Sequence, residues 1–279
     1  MEAHQLVRTV INKTMVPEQQ GRGRKGYGNL ARVRVLVYAA VKGIHNDSKL
    51  TRHLRKRSEV RRELGLSSTP ERTSISRWRK KYGKLVKEAF RKLSELVRKI
   101  TGSELIIVDS TPLEDQKDED AAVGYYSKGG FKGFKVHLSV NQLGLPMKAI
   151  VSRGNRHDTN YFEELLIDAS KVLGDAGYDS RDNREVARNM GVEPVIARNP
   201  RNTGKQYEAP KLLERKRYIV EQFNSLLKTV LNEAWKRFKG IERTSSLVYS
   251  SLTAVLLATV PNLGKIEDEG LRTVAERWH

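Results

Sequence analysis

The sequence predicts an α/β protein whose mixed β-sheet carries helices on both faces and is preceded by an all-α, basic region of the helix-turn-helix type. Two observations lead to this prediction. After residue 101, apolar runs and helical patterns follow the order strand, strand, strand, helix, strand, helix, strand, helix, which is typical of a sheet covered by helices. Before residue 101, apolar residues recur at helical spacing among many basic ones. The chain therefore divides into a helical region (1–100), an α/β domain (101–262) and a C-terminal tail (263–279).

The positive charge of the chain is concentrated in its N-terminal region. Residues 1–100 contain 26 Lys and Arg against 8 Asp and Glu, a net charge of +18, whereas residues 101–279 contain 26 against 25, a net charge of +1. Such a surplus is typical of a polyanion binder, and double-stranded DNA is the expected partner. The alternative is a basic surface kept for solubility, which does not require segregated charge. Residues 21–29 interleave glycine with Arg and Lys, and this predicts a flexible basic connector.

The composition excludes several classes of protein. The chain contains no cysteine, which excludes disulfides, Cys-ligated zinc and thiol catalysis. No apolar run reaches the roughly 18–20 residues of a membrane span, so no membrane partner is expected. The N-terminus lacks the apolar segment of a signal peptide, and we therefore expect a cytoplasmic protein.

The basic region contains a pattern that favours a helix-turn-helix motif. Helical segments with apolar spacing occupy residues 30–44 and 50–65, and Pro70 interrupts the chain before a further helix that Thr73 or Ser74 could cap. A turn between two helices, the second with a basic start, is what such a motif presents to a DNA groove. A generic basic helical bundle is the alternative. The residues predicted on the basic face of the second helix are Arg77, Arg79, Lys80 and Lys81.

The α/β domain begins with the stretch ELIIVDST over residues 104–111. Its apolar run predicts a strand buried on both faces, with Asp109 at or just past the end of that strand. The acidic, then glycine-rich residues 114–130 are predicted to be a loop. Strict alternation over residues 134–140 predicts a half-buried strand. The remaining predicted elements are a strand at 147–151, a helix beginning near Asp158, a strand at 171–175, a helix at 181–190, a strand at 194–197 and a long helix at 211–231.

Three acidic residues occupy special positions among these elements. Asp109 and Asp175 each follow a strand, and Glu221 lies on the long helix between apolar residues. If the two strands are parallel neighbours, their carboxyl ends share one sheet edge, and the helix can bring Glu221 over them. Three oxygen ligands suit Mg²⁺ or Mn²⁺. Taken singly, each carboxylate could instead be a helix cap or a surface acid.

Several motifs in this order resemble the catalytic domain of DDE (Asp-Asp-Glu) insertion-sequence transposases, of the IS-four-like and IS-five-like kind. The resemblance covers about residues 104–260 and rests on VDST at 108–111, KGFKVHLSVNQLGLP at 132–146, GNRHD at 154–158, GDAGYDS at 174–180 and RYIVEQFNSLLK at 217–228. The last motif contains the family spacing of Arg217, Glu221 and Lys228. Where the family has a tyrosine three residues before the arginine, this chain has Glu214.

The resemblance implies a ribonuclease-H-like fold and a metal-dependent reaction on DNA. Asp109, Asp175 and Glu221 would be catalytic and would bind two divalent ions, Mg²⁺ or Mn²⁺. Arg217 and Lys228 would contact the DNA backbone, although both could simply be solvated residues of the helix surface. Asp158 is expected to cap the helix that follows it. Trp235 and Phe238 are expected to lie in the core; a base-stacking role is the alternative.

The expected function is therefore DNA transposition. The basic region would recognise terminal inverted repeats, the triad would nick element ends and transfer the 3′-hydroxyl into target DNA, and a homodimer would hold two ends together. The expected location is the cytoplasm, in association with the nucleoid. Two alternatives remain at this point: a nuclease or resolvase that cuts without joining, and a regulator that only binds DNA.

Overall fold

A computed structural model describes residues 2–18, 26–126, 129–205, 207–259 and 261 of the protein. The chain forms two compact units: the first combines residues up to Leu93 with the described residues from Leu227 onward, and the second is Ser94–Leu226. This division differs from the predicted one, in which residues 227–262 belonged to the α/β domain. The predicted tail and residues 21–25 of the predicted connector lie outside the described residues.

The elements of the described chain are as follows. The helices are α1 (Ala3–Val10), α2 (Asn29–Val41), α3 (Asp47–Lys56), α4 (Ser58–Glu63), α5 (Arg72–Lys81), α6 (Gly83–Thr101), α7 (Phe162–Leu165), α8 (Arg181–Asn189), α9 (Pro200–Thr203), α10 (Lys211–Leu231) and α11 (Ile241–Thr259). The strands are β1 (Leu105–Glu114), β2 (Ala122–Tyr126), β3 (Gly129–Asn141), β4 (Pro146–Arg153), β5 (Lys171–Gly174) and β6 (Glu193–Ile196). No helix within these ranges combines the length and apolar character needed to cross a membrane.

Helix α11 lies at the centre of the first unit. Every side chain over residues 246–259 is buried, and the helix packs against α2 and α5. A helix that is buried on all sides belongs to the core of its unit. The hydroxyls of Ser250, Thr253 and Thr259 donate to carbonyls one turn back, which satisfies these polar groups without solvent. The N-terminal helices therefore share their core with a segment from the other end of the chain.

Helix α5 turns one of its predicted basic residues inward. Arg79 is 1% exposed, its Nε donates to Asp47 Oδ1 at 2.9 Å, and its guanidinium lies 4.4 Å from the ring centroid of Phe238. The prediction that Arg79 lies on the basic face is wrong, because its spacing from Ile75 places it on the inner face of the helix. Arg77, Lys80 and Lys81 are exposed, as predicted.

The start of α5 also differs from the prediction. Glu71 is the N-cap residue, and neither Thr73 nor Ser74 caps the helix. Helices α3 and α5 are joined by the Asp47–Arg79 ion pair and by a hydrogen bond from Thr51 Oγ1 to the carbonyl of Pro70. The region is helical as predicted, and its assignment as a helix-turn-helix motif stays a prediction. Trp235 and Phe238 are buried in this unit, which confirms their predicted place in the core.

The second unit contains a mixed sheet in the order β2-β3-β1-β5-β6, with β4 also paired to β3. Strand β3 is antiparallel to β1, β2 and β4, whereas β1, β5 and β6 run parallel. Five of these strands follow the order β4-β3-β1-β5-β6. Pairing among the first three is antiparallel, and β5 and β6 run parallel to β1. This is the topology expected of a ribonuclease-H-like fold. The predicted α/β class and its mixed sheet flanked by helices are confirmed.

Two segments of the second unit differ from the sequence prediction. Strand β1 continues to Glu114, and part of the predicted loop over 114–130 is strand, because residues 122–126 form β2 and pair with the start of β3 at Gly129. Gly133 permits the close approach of β3 to the end of β1, since a Cβ at that position would lie 2.2 Å from the carbonyl oxygen of Leu113. The helix predicted near Asp158 is only a 3₁₀ turn, Asp158–Tyr161, followed by the four-residue α7.

We expect the Asp47→Ala variant to lose roughly 3–5 kcal/mol of unfolding free energy, because it leaves the charge of Arg79 buried without a partner. Urea unfolding at neutral pH measures this loss. The matched control is Glu88→Ala, which removes the acid of the exposed pair with Arg91 and should lose no more than about 1 kcal/mol. The double variant Asp47→Ala/Arg79→Met should be more stable than Asp47→Ala alone, and equal losses in Asp47→Ala and Glu88→Ala would contradict this role for the buried pair.

Candidate active site

Asp109 and Asp175 lie side by side at one edge of the sheet. The parallel pairing of β1 with β5 ends at Val108 opposite Gly174, and the two aspartates are the next residues of their chains. Neighbouring strands are about 4.8 Å apart, so both carboxylates lie at the same carboxyl-terminal edge. Asp109 does not end its strand as predicted, because β1 continues beside β3 with Asp109 opposite Leu138. The expected neighbouring arrangement of the two strands is confirmed.

Helix α10 covers this edge, and its bounds are those predicted. Asn224 Nδ2 donates to Asp109 Oδ2 at 2.8 Å, which fixes one face of the helix over the first aspartate. Glu221 precedes Asn224 by three residues and so lies on the same side of the helix. Its Oε1 accepts a hydrogen bond of 3.0 Å from Arg217 Nε, and both side chains are about half exposed.

The electrostatics of the site favour a cation between the aspartates. Burial raises the pKa of Asp109 to about 7, and the charge of Asp175 adds to this effect. Burial also raises the pKa of Asp175, although the backbone N–H of Gly177 and the charge of Arg217 oppose the rise. Arg217 therefore acts electrostatically on both aspartates while it pairs with Glu221. A divalent cation would relieve the repulsion between the two carboxylates more fully than one guanidinium can.

The residues present fit a hard divalent metal in their chemistry. Asp109, Asp175 and Glu221 offer only oxygen donors, which Mg²⁺ and Mn²⁺ prefer. Across the described ranges, no three Asp, Glu or His side chains are already grouped closely enough to hold an ion. Glu221 pairs instead with Arg217. An exposed pair of this i, i+4 type contributes only about 0.3–0.5 kcal/mol, so its exchange for a metal contact is easy.

A cluster of polar side chains lies next to Asp109 and Asp175, and the sequence analysis did not predict it. Lys135 Nζ and His137 Nδ1 lie 3.2 and 3.3 Å from Asp158 Oδ1, and His137 Nε2 lies 2.8 Å from Ser152 Oγ. Burial would raise the pKa of Asp158, but His137 and Lys135 outweigh it and hold that pKa below its usual value. The predicted capping role of Asp158 is wrong, because its side chain faces this cluster and His157 precedes the turn without a capping bond.

The buried residues of β3 explain why this cluster was missed. Alternation along the strand predicted a solvent face, yet Lys135 is 7% exposed and His137 and Ser139 are fully buried. Both faces of β3 are therefore covered. Tyr178 supports the same picture: its hydroxyl is buried, and Asp158, Asp109 and Asp175 all raise its pKa after the larger effect of burial. The charges of the three aspartates thus all act on one buried hydroxyl.

Asn224 is the other functional candidate that sequence reasoning missed. Besides the hydrogen bond to Asp109, it has a buried Oδ1 that finds no hydrogen-bond partner among the described residues. The sequence contains an indication of this role, because Asn224 follows Glu221 by three residues and therefore lies on the same face of the helix. Lys228, one of the predicted DNA contacts, is an exposed residue of α10 seven positions after Glu221.

Paired carboxylates at this edge of a mixed sheet are typical of one class of protein, the metal-dependent enzymes that cut or join phosphodiesters. Comparison with family models identifies the family. The model described as "Transposase DDE domain" matches residues 100–257, and the model described as "Transposase domain (DUF772)" matches residues 4–81. Because the first match covers more than half of the sequence, the chain belongs to the DDE transposase family. The protein is a DNA transposase, an enzyme that cleaves DNA and transfers strands with divalent metal ions.

Other comparisons add little to this assignment. No curated protein matches the chain significantly. Among solved structures, the chain is similar to one described as "Mos1 transposase paired-end complex with left transposon end", with 12% sequence identity, a TM-score of 0.27, and coverage of 86% of this chain and 82% of that chain.

We expect Asn224→Ala to weaken Mg²⁺ binding by about 10- to 100-fold, because the variant releases Asp109 from the side chain that orients it. The measurement is the Mg²⁺ concentration that gives half-maximal thermal stabilisation of the protein without DNA. Gln222→Ala, an exposed change on the same helix, is the control and should bind Mg²⁺ normally. Equal affinities for the two variants would exclude an orienting role for Asn224.

Proposed function

We propose that Asp109, Asp175 and Glu221 are the catalytic residues of this transposase and hold two Mg²⁺ or Mn²⁺ ions. The observation that carries the proposal is the parallel register Val108–Gly174, after which both aspartates lie at the same sheet edge beneath α10. Ions bound there would activate water or a 3′-hydroxyl and stabilise the leaving oxygen. The chain itself supplies the geometry: β1 and β5 fix two carboxylates, and α10 carries the third.

Arg217 has two roles in this proposal. Without metal, its guanidinium pairs with Glu221 and offsets part of the negative charge of the two aspartates. When Glu221 turns toward a metal, the guanidinium is released and can contact a DNA phosphate near the reacting bond. Lys228, on the same helix, would contact the backbone further along. The Lys135–His137–Asp158 cluster would hold the negative charge of Asp158 in a fixed place beside Asp175.

The first unit would deliver the element ends to this site. Its exposed basic residues Arg77, Lys80 and Lys81 are proposed to contact DNA at the terminal inverted repeats. Arg79 has no such role, because it is buried against Asp47. A homodimer would bring two ends together before joining. We propose that the reaction takes place in the cytoplasm at the nucleoid.

The variants Asp109→Asn, Asp175→Asn and Glu221→Gln should each abolish cleavage of a duplex carrying an element end, because each removes one charged oxygen ligand. Duplex binding without divalent ions should remain at the level of the unmodified protein. Cleavage assays with Mg²⁺ and gel-shift assays in EDTA measure the two properties. Glu214→Gln, on an earlier turn of α10, is the control and should cleave normally. If any one of the three variants cleaved as well as the unmodified protein, that residue would not be catalytic.

A precut substrate tests the joining step directly. With Mg²⁺ and a duplex that already ends in a free 3′-hydroxyl, the protein should join that end to target DNA. The strand-transfer product is longer than either substrate strand and is measured on a denaturing gel. Cleavage of uncut ends without any joined product would instead indicate a nuclease.

A further inference from the structure

The first unit contains a basic cavity of about 310 Å³ that lies apart from the residues proposed so far to bind DNA. Three segments line it: the start of α3, one face of α5, and a stretch that runs from the chain between α10 and α11 into the first turn of α11. Helix α5 contributes Arg72 and Ser76, which are one turn apart. The third segment contributes Arg237, Lys239 and Arg243. The last of these segments lies more than half the chain away from the first two in sequence.

The charge of the cavity is strongly positive. Four basic side chains line it and Asp47 is the acid on its wall. The charge of Asp47 is already balanced, because this residue pairs with the buried Arg79. His45, also on the wall, responds to the excess: burial lowers its pKa to about 4, and Arg79 and Arg237 push the pKa in the same direction. The site therefore attracts an anion.

Several donors in the cavity are available to such an anion. In the part of the chain that the structure describes, Arg72 and Arg237 form no ion pair. Arg243 is held in place by the hydrogen bond from its Nη1 to the carbonyl of Lys239 at 3.0 Å, and its buried Nε has no hydrogen-bond partner among the described residues. The guanidinium groups of Arg72 and Arg237, which come from two different lining segments, can therefore bind one anion.

The wall chemistry indicates a phosphate group rather than a whole nucleotide. Two aromatic side chains line the wall: the imidazole of His45 is buried, and Phe238 already stacks against the guanidinium of Arg79 at 4.4 Å. The cavity therefore offers charge and hydrogen-bond donors but little surface on which a base could stack. Arginine forks match the oxygens of a phosphate in just this way.

We propose that this cavity binds one backbone phosphate of duplex DNA, with Arg72 on one side and Arg237 on the other. The inference rests on the proposed binding of DNA by the first unit. Arg72 and Ser76 belong to the helix that exposes Arg77, Lys80 and Lys81, so a phosphate in the cavity fixes the position of that helix along the duplex. The chain between α10 and α11 then becomes part of the DNA-binding surface.

The test compares Arg237→Gln with the matched control Lys236→Gln in the full-length protein. Lys236 is the preceding residue, carries the same charge and pairs with Glu233 outside the cavity. Binding of a duplex of arbitrary sequence is measured in EDTA over a range of salt concentrations. Loss of one phosphate contact should make the slope of log K against log salt shallower by about 0.9. We expect this change for Arg237→Gln and for Arg72→Gln, and an unchanged slope for Lys236→Gln.

The double variant Arg72→Gln/Arg237→Gln sharpens the test. If both residues hold the same phosphate, the double variant should lose no more slope than either single variant. Slopes for the cavity variants equal to that of Lys236→Gln overturn the inference. A second result would also overturn the inference: inorganic phosphate stabilises the unmodified protein against heat but not Arg237→Gln, while both bind duplex DNA equally well. The ligand of the cavity would then be a free phosphate. Failure of the unmodified protein to bind duplex in EDTA refutes DNA binding by the first unit, whereas the metal site is tested separately by cleavage.

Discussion

The arrangement of the second unit depends on one backbone pairing, that of β1 with β5. Its register decides which residues follow the last parallel pair, and a shift by one residue would turn the side chains of a strand to the other face. Gly174 helps to set how close the two strands come. A Cβ at this position would lie 3.1 Å from Val108 Cγ2 and 3.4 Å from Tyr178 Cβ, tighter than most side-chain contacts. Two short segments of backbone thus determine where both aspartates lie.

The charges around that pairing are balanced locally rather than by distant residues. Asp109 and Asp175 are held close together in a poorly solvated place, which is unfavourable for two carboxylates. Arg217 offsets part of this repulsion and Lys135 offsets part of the charge of Asp158. Arg217 and Lys135 thus each act on an aspartate that belongs to a different element of the fold. The site can therefore fold before any metal binds, with an exposed, weak ion pair at the position where the third ligand is needed.

The sequence predicted the main elements of the site because their signals are local. The apolar run before Asp109, the glycines around Asp175 and the long pattern of α10 each define an element without knowledge of its neighbours. The roles of Lys135, His137 and Asp158 could not be predicted in this way. Alternation along β3 indicates which residues share a face, but only the covering elements decide whether that face is buried.

Two other differences have the same origin. Arg79 counts as a basic helix residue in the sequence, yet its partner Asp47 lies on another helix and draws it into the core. The acidic, then glycine-rich residues 114–130 predict a loop by composition, yet Glu114 and residues 122–126 are strand because they pair with β3. Both cases involve contacts between residues distant in sequence, Asp47 with Arg79 and Glu114 with Gly133. Helical spacing from Ile75 indicates the inner face for Arg79, but it does not identify the partner.

The position of α11 also has a consequence for the order of events during synthesis. The N-terminal helices leave the ribosome first, but the helix that fills their core is made only after the whole sheet of the second unit. At a synthesis rate of about 5–20 residues per second, the interval between Leu93 and Thr259 is on the order of 10–30 seconds. During that time the nascent first unit lacks its central helix. A polypeptide released early would therefore carry the basic residues without the core that arranges them.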